Sequence, residues 1–228
     1  MNIYFLVEGK TERKVYPKWL SYLIPKLERV SEPSAITNNT YYLISGNGFP
    51  SILDNHLVAS VDDVNTIGNF NFLVLVIDTD DMTSEKKIVE VEQFIKENNI
   101  ILSNCKLIII PQVVCMETWF LGNRKIYTRT PPNAECASYS NHYDTSKYDP
   151  ELMVKPNNYN ETNAVFHFNY LKTMLKAKNI RYSKSNPREV HKPHYIEELK
   201  NRTNLDIKSL NSMQILFSFF DSITNQMN

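Results

Sequence analysis

The sequence predicts an α/β fold in which a parallel sheet is flanked by helices. Runs of β-forming residues begin near Ile3 and Phe70, and segments with apolar residues at helical spacing follow them. The two patterns alternate along the first half of the chain, which favours a parallel sheet with right-handed crossovers. Sheets of this kind bind ligands beyond the carboxyl ends of their strands.

The first predicted strand is the run IYFLV at residues 3–7. Its unbroken apolar character is typical of a strand that is covered on both faces. A helix is expected from Thr11, because apolar residues recur at helical spacing at Val15, Trp19, Leu20, Leu23, Ile24 and Leu27. Pro17 and Pro25 lie within this pattern, and proline removes a helical hydrogen bond, so we expect a kink or a break.

Three further strands are predicted at residues 41–44, 70–77 and 107–114, each with a helix after it. The helices are indicated by Ile52, Leu53, Leu57 and Val61, by Ile88, Val91, Phe94 and Ile95, and by the short segment 116–121. Pro111 lies inside the fourth strand. A proline cannot donate to a sheet, so a bulge or an early end of that strand is expected.

The last hundred residues have a different character. Residues 128–163 are rich in Pro, Asn, Ser and Tyr without sustained periodicity, which predicts a long ordered loop or insertion. Helices are expected at about 164–178, 195–201 and 209–224, the last of them packed against the core. The predicted organisation is therefore an α/β domain at 1–126, a loop-rich insertion at 127–163 and a helical extension at 164–228.

The composition is that of a globular protein able to bury a core, with 42% hydrophobic and 22% charged residues in a chain of 228. The net charge is zero, so a nucleic-acid role would need local asymmetry. Residues 54–99 hold ten acids against three lysines, whereas residues 165–208 hold ten Lys or Arg against four acids. Chance clustering on solvated faces is the alternative explanation.

The cysteines and the apolar segments predict a soluble, cytoplasmic protein. Cys105, Cys115 and Cys136 form no CxxC pair, and an odd number does not suggest a disulfide framework. The apolar run near the N-terminus is too short for a signal sequence, and no stretch approaches 18 apolar residues.

Acidic residues follow the predicted strands closely. Asp78 and Asp80 come directly after the most apolar strand, and in an extended segment residues i and i+2 project to the same side. Glu8 follows the first strand next to Gly9, and Glu117 follows the fourth. Carboxylates at one sheet edge predict a magnesium site, since Mg²⁺ prefers oxygen ligands. Helix capping is the simpler explanation for Asp80 or Asp81.

Two other sites are weakly indicated. A hydrophobic strand ending in Asp78 is typical of a Walker B segment, but the phosphate loop that would end in Gly9-Lys10-Thr11 would need its first glycine at Tyr4, inside the first strand. His191 and His194 could suggest zinc, but no matching Cys or His pair accompanies them. A nucleotide-sugar transferase using Asp78 and Asp80 would leave Glu8 without a role.

The motifs together resemble the Toprim signature. They are VEGKTE at residues 7–12, Asp78-x-Asp80 after a later strand, and ETWFL at residues 117–121. Toprim domains occur in primases, topoisomerases and the OLD and RloB-like nucleases, and the wording VEGKTE is nearest to the OLD and RloB-like branch. The resemblance covers roughly residues 1–125. No tyrosine nucleophile of topoisomerase type is apparent.

The resemblance implies a Rossmann-like sheet and Mg²⁺-dependent or Mn²⁺-dependent cleavage of phosphodiester bonds in DNA or RNA, tRNA included. Glu8 would be a metal ligand or general base, Asp78 and Asp80 metal ligands, and Glu117 a further ligand. OLD-like members also work with an ATPase in defence against phage, which here would be a separate ABC- or SMC-like protein. Candidate contacts to the phosphate backbone are Lys10, Lys184, Arg188 and Lys192. A non-catalytic regulatory or binding subunit is the alternative, and a homo-oligomer is left open.

Overall fold

The computed structural model describes residues 1–206 and 208–227, which form an α/β fold around one parallel sheet. The five strands are β1 (Asn2–Val7), β2 (Glu28–Arg29), β3 (Thr40–Ser45), β4 (Phe72–Asp78) and β5 (Lys106–Gln112), in the order β2-β3-β1-β4-β5. Every strand pair is parallel. The expected α/β class, with helices on both faces of a Rossmann-like sheet, is confirmed.

Eight α-helices accompany the strands in the described ranges. They are α1 (Lys10–Leu23), α2 (Val58–Ile67), α3 (Ser84–Glu97), α4 (Met116–Phe120), α5 (Ala134–His142), α6 (Asn163–Ala177), α7 (Pro193–Leu205) and α8 (Asn211–Gln226). A π-helical stretch, Ile52–Leu57, leads directly into α2. Single 3₁₀ turns occur at Pro33–Ala35, Arg124–Ile126 and Pro150–Leu152.

The sheet separates two apolar clusters. Alternate residues of β1, Ile3, Phe5 and Val7, pack with α1 and with the helices of the last third. The intervening residues, Tyr4 and Leu6, pack with the π-helical stretch, α2 and α3. All of β1 is buried, because a central parallel strand is covered on both faces.

The two internal prolines are accommodated without a break. Helix α1 continues through Pro17 to Leu23, held by buried Val15 and Trp19 on either side, and Pro25 lies beyond its end. Strand β5 pairs with β4 in continuous register through Pro111 and ends at Gln112. It lies at the edge of the sheet, where a residue without an N–H group is tolerated. Of the outcomes expected at these prolines, the break occurs before Pro25 and not at Pro17. Strand β5 has no bulge at Pro111 but ends early, at Gln112, which was the other outcome expected there.

The segment expected to be one long loop contains a helix. Helix α5 begins after Asn133, whose side chain accepts a hydrogen bond from the backbone N–H of Cys136 and so caps the helix. Its hydrophobic periodicity is weak, because Cys136 is its one fully buried residue, which explains why the sequence pattern missed it. The other connections of residues 127–163 are irregular or 3₁₀, as expected.

The last three helices pack on the same cluster as α1. Phe219 of α8 contacts Phe72 of β4 edge to face, at 5.4 Å between ring centroids. The indole N–H of Trp119 donates to Ser212 Oγ of α8 at 2.8 Å. Helix α8 therefore covers the sheet, as the sequence predicted.

Neither a disulfide nor a membrane span is found within the described residues. Cys105, Cys115 and Cys136 are all free thiols. No helix in residues 1–206 and 208–227 combines the length and the apolar character needed to cross a bilayer.

Candidate functional site

A cavity of about 420 Å³ lies beyond the carboxyl ends of the central strands. Four carboxylic acids line it, Glu8, Glu12, Asp78 and Glu117, together with Lys10 and Lys184. This is the edge of a parallel sheet at which ligands bind in such folds. The structure thus brings together three of the acids that the sequence singled out and adds one that it did not.

Glu8 and Asp78 are joined by a direct hydrogen bond. The register places Val7 beside Val76, so that the residues following β1 and ending β4 are neighbours. The backbone N–H of Asp78 donates to Glu8 Oε2 at 2.9 Å, and the Glu8 side chain is largely buried. This bond fixes one carboxylate against the backbone of the other.

Polar atoms without partners gather around Asp78. Its Oδ1 is shielded from solvent and has no hydrogen-bond partner among the described residues. The same holds for the hydroxyl of Tyr16 and for both side-chain atoms of Gln112, the residue that pairs with Asp78 in β5. Buried polar groups are normally satisfied, so this cluster is a place for a polar ligand or ordered water.

Glu12 is the acid that sequence analysis missed. It lies one turn after Glu8, is buried, and comes close to Gly9, where an added Cβ atom would approach Glu12 Oε2 to 2.7 Å. An acid in the first turn of a helix ordinarily stabilises the helix dipole, so its position alone does not mark it as part of a site. The sequence did contain one indication of its role: Gly9 is followed by a second glutamate, Glu12, four residues after Glu8.

The side chain of Glu117 is contacted by residues from the C-terminal part of the chain. Helix α4 places it after β5, almost fully buried. Tyr182 donates its hydroxyl proton to Glu117 Oε1 at 2.8 Å, and Lys184 Nζ lies 3.8 Å from Glu117 Oε2. Both oxygens of Glu117 are therefore engaged, unlike those of Asp78.

Burial and mutual repulsion raise the pKa values of three of the acids, Glu8, Glu12 and Asp78. Desolvation raises the pKa of Glu12 to about 7, and the charges of Glu117 and Glu8 add to the effect. Desolvation, followed by the Glu12 and Glu8 carboxylates, raises the pKa of Asp78 well above its usual range. The pKa of Glu8 is raised by burial, although the N–H of Asp78 opposes this. A cation in the cavity would relieve the repulsion.

Asp80 lies outside this cavity. Its backbone is left-handed, with φ 51°, so the chain is not extended there and the argument that Asp78 and Asp80 project to the same side is wrong. Its N–H donates to the carbonyl of Val114, while Thr79 Oγ1 accepts from the N–H of Val114. These bonds turn the chain after β4, and the exposed Asp80 is close enough to add to the repulsion at Glu8. Asp81 accepts a hydrogen bond from Asn163.

The basic candidates separate into three environments. Lys10 and Lys184 line the acidic cavity, and Arg188 lines a second, neighbouring cavity. Lys192 is paired with Glu189 at 2.5 Å, and His194 Nε2 lies 2.9 Å from the same carboxylate. Lys192 therefore has its charge offset locally.

No ready-made metal centre is present. Within residues 1–206 and 208–227, no three His, Cys, Asp or Glu side chains are grouped so that they could hold a metal ion. The set Glu8, Asp78, Asp80 and Glu117 is therefore not assembled as a four-ligand site. A magnesium ion typically takes only one or two carboxylates, with water and substrate phosphate as its remaining ligands. The hydrogen-bonded pair of Glu8 and Asp78 fits that smaller requirement.

Comparison of the chain with protein-family models, with curated proteins and with solved structures found no match. The assignment of a function thus depends on the residues and their geometry, and the Toprim resemblance stays a prediction.

Proposed function

We propose that the chain is a metal-dependent nuclease that hydrolyses phosphodiester bonds in nucleic acid, with Glu8 and Asp78 at its centre. The observation that supports this most is the unpartnered Oδ1 of Asp78 in a cavity lined by four carboxylic acids. Ionising these neighbouring buried carboxyl groups together is costly unless a cation offsets their charge.

Glu8 and Asp78 would hold a divalent ion, Mg²⁺ or Mn²⁺. Both are hard ions that take carboxylate oxygens and water. Glu117 is less available, because Tyr182 and Lys184 occupy its oxygens, and Asp80 would act from outside the cavity. When bound, the ion would supply charge stabilisation to the scissile phosphate and acidity to a water molecule.

The remaining groups bind and orient the substrate. Lys10 and Lys184 provide positive charge for phosphate oxygens at the cavity. Gly48, with φ 89°, lets its own N–H donate to the Glu8 carbonyl and leaves no side chain in the cavity wall. Burial raises the pKa of Glu12 to about 7, which suits a group that exchanges protons with water near neutral pH.

The decisive experiment compares Asp78→Asn and Glu8→Gln with the wild type in cleavage of labelled DNA and RNA, with Mg²⁺ or EDTA. Both variants keep an oxygen that accepts hydrogen bonds, so the fold should survive. Each should lower Mg²⁺-dependent cleavage by at least about 100-fold, the range expected when a positioned catalytic carboxylate is lost.

The neighbouring Asp80→Asn variant is the matched comparison, because it makes the same chemical change outside the cavity. It should reduce cleavage by less than about tenfold, and Asp62→Asn, on the exposed side of α2, should have no effect. Cleavage that persists in Asp78→Asn and Glu8→Gln would reject the proposal and favour the non-catalytic binding subunit.

The wider role in phage defence with a separate ATPase is supported by the Toprim resemblance alone. Co-expression with an ABC- or SMC-like ATPase from the same genome, followed by size-exclusion chromatography, tests it. A stable complex is expected, and two separate elution peaks would argue against it.

A further inference from the structure

A second groove, of about 760 Å³, runs along the outer face of α1. One wall is the helix from Arg13 to Ser21, and the opposite wall is the segment 185–191. Leu27 and Tyr41 contribute apolar surface between the walls. None of the residues that form the acidic cavity lines this groove.

The groove is strongly basic. Arg13, Lys14, Lys18, Arg29 and Arg188 line it, with Glu28 as the acid among its described lining residues. None of the five cations forms an ion pair within residues 1–206 and 208–227, whereas the exposed Lys125 and Lys147 do, with Glu198 and Asp144. The lining of the groove therefore carries five cations against one acid, and no ion pair within the described residues offsets the five.

The positive charges also act on His191, in the wall formed by residues 185–191. His191 lines the groove, and its Nδ1 is buried without a hydrogen-bond partner in the part of the chain that the structure describes. Burial, and then the charges of Lys18, Lys192 and Arg188, lower its pKa. A field that opposes a further positive charge is one that favours an anion.

The basic wall is tied to the helix. The indole N–H of Trp19 donates to the carbonyl of Val190 at 3.0 Å, and Lys14 Nζ donates to the carbonyl of Ser185 at 2.5 Å. Thr11 Oγ1 also lies 3.5 Å from the Lys184 carbonyl. These contacts span the segment from end to end, so the cations are displayed on a fixed surface.

The linings of the groove and of the acidic cavity are adjacent on both walls. On α1, Lys10 to Glu12 line the cavity and Arg13 onward lines the groove. On the second wall, Lys184 lines the cavity and Ser185 onward lines the groove. The end of the groove at Arg13 and Ser185 therefore lies next to Glu12 and Lys184 of the cavity.

We infer that this groove binds the phosphate backbone of a nucleic-acid strand and leads that strand into the acidic cavity; the inference rests on the proposed nuclease function. The helix from Arg13 to Ser21 rises about 12 Å at 1.5 Å per residue. At about 3.4 Å per nucleotide for a strand stacked as in B-form DNA, this length matches three to four phosphates. Contacts to the backbone position a strand without reading its sequence.

The test measures binding separately from cleavage. The full chain is titrated in EDTA against fluorescein-labelled single-stranded DNA and RNA, with anisotropy as the readout, between about 50 and 200 mM salt. The variant Lys18→Ala/Arg188→Ala should bind roughly tenfold more weakly. Its plot of log affinity against log salt should lose about 1.4 units of slope, since each phosphate contact to a single strand contributes about 0.7.

The matched control is Lys96→Ala/Lys106→Ala, which removes the same charge from exposed positions at the far end of α3 and the amino end of β5. It should bind as the wild type does. Equal weakening in both double variants, or no weakening in either, would overturn the inference. A further result would also overturn it: a polyglutamate peptide that displaces the oligonucleotide and binds as tightly as the oligonucleotide does. The groove would then be a site for an acidic protein.

The two proposals fail in different ways. Groove-dependent binding without cleavage in Mg²⁺ by the wild type would reject the nuclease and keep the groove. If the Lys18→Ala/Arg188→Ala variant cleaves nucleic acid with the KM of the wild type, the nuclease proposal stands and the groove is rejected.

Discussion

At the scale of single residues, the site depends on a glutamate that carries a proton where glutamates are normally charged. Glu12 is buried beside two other acids, Glu8 and Glu117, and desolvation is the main reason that its pKa rises to about 7. The folded protein therefore binds a proton that the unfolded chain releases near pH 4.5. Folding and protonation are linked through this side chain.

In EDTA, the free energy of unfolding should fall as the pH rises from about 4.5 to 7. The unfolded chain ionises first, so the stabilisation by protonated Glu12 is complete below pH 4.5 and is lost above pH 7. At 1.36 kcal/mol per unit, the shift corresponds to roughly 3 kcal/mol. Urea unfolding followed by circular dichroism at several pH values measures it.

Glu12→Gln should reduce this pH dependence and leave the part carried by Asp78 and Glu8, whose pKa values burial also raises. It should be more stable than the wild type at pH 8, because it carries no charge to repel. Glu32→Gln, at an exposed position, serves as the control and should follow the wild type. A Glu12→Gln curve with the slope of the wild type would show that other groups carry the dependence.

At the scale of elements, the segment 182–191 joins the C-terminal helices to the site. Tyr182 donates to Glu117, Lys184 approaches the same carboxylate, and Val190 accepts from Trp19 of α1. The first two contacts are to the carboxylate of Glu117, which lines the cavity. The segment is irregular but is fixed by hydrogen bonds at both of its ends.

Tyr182→Phe should lower the free energy of unfolding by about 1–3 kcal/mol, the cost of leaving a buried acceptor without its donor. The affected acceptor is Glu117 Oε1, which the hydroxyl of Tyr182 contacts at 2.8 Å. The matched control is Tyr148→Phe, at a residue with 60% of its surface exposed, which should change stability by less than about 0.5 kcal/mol. Equal urea midpoints for the two variants would contradict this role for Tyr182.

Regular elements and local acids could be predicted from the sequence, and long-range contacts could not. The continuous apolar strands placed Glu8, Asp78 and Glu117 at one edge by topology alone. Asp80 was misjudged because the left-handed turn at that residue leaves no trace in hydrophobic periodicity. Lys184 was noted only as a basic residue, since nothing in its neighbourhood indicates that it meets an acid 67 positions earlier.

At the scale of the whole molecule, a buried arginine connects three parts of the chain. Arg202 of α7 donates to the carbonyls of Gly122, Thr145 and Tyr148 and to Ser209 Oγ. It thus joins the end of α4, the irregular segment after α5 and the residues just before α8. These parts also share one apolar cluster with β1 and α1.

Arg202→Met should lower the free energy of unfolding by about 3 kcal/mol or more, because three buried carbonyl oxygens would lose their donor. Arg181→Met, at an exposed position, is the control and should have little effect. Urea unfolding followed by tryptophan fluorescence reports it, since Trp19 and Trp119 are both buried. A loss below 1 kcal/mol would mean that the carbonyls find other donors.

The separation between Glu117 and Lys184 has a consequence for the timing of assembly. A ribosome adds about 5–20 residues per second, so all four acids emerge roughly three to thirteen seconds before the lysine that faces them. During that interval a nascent chain carries the carboxylates without Tyr182 or Lys184. The cavity with all its lining residues can therefore form only after residue 184 has been synthesised.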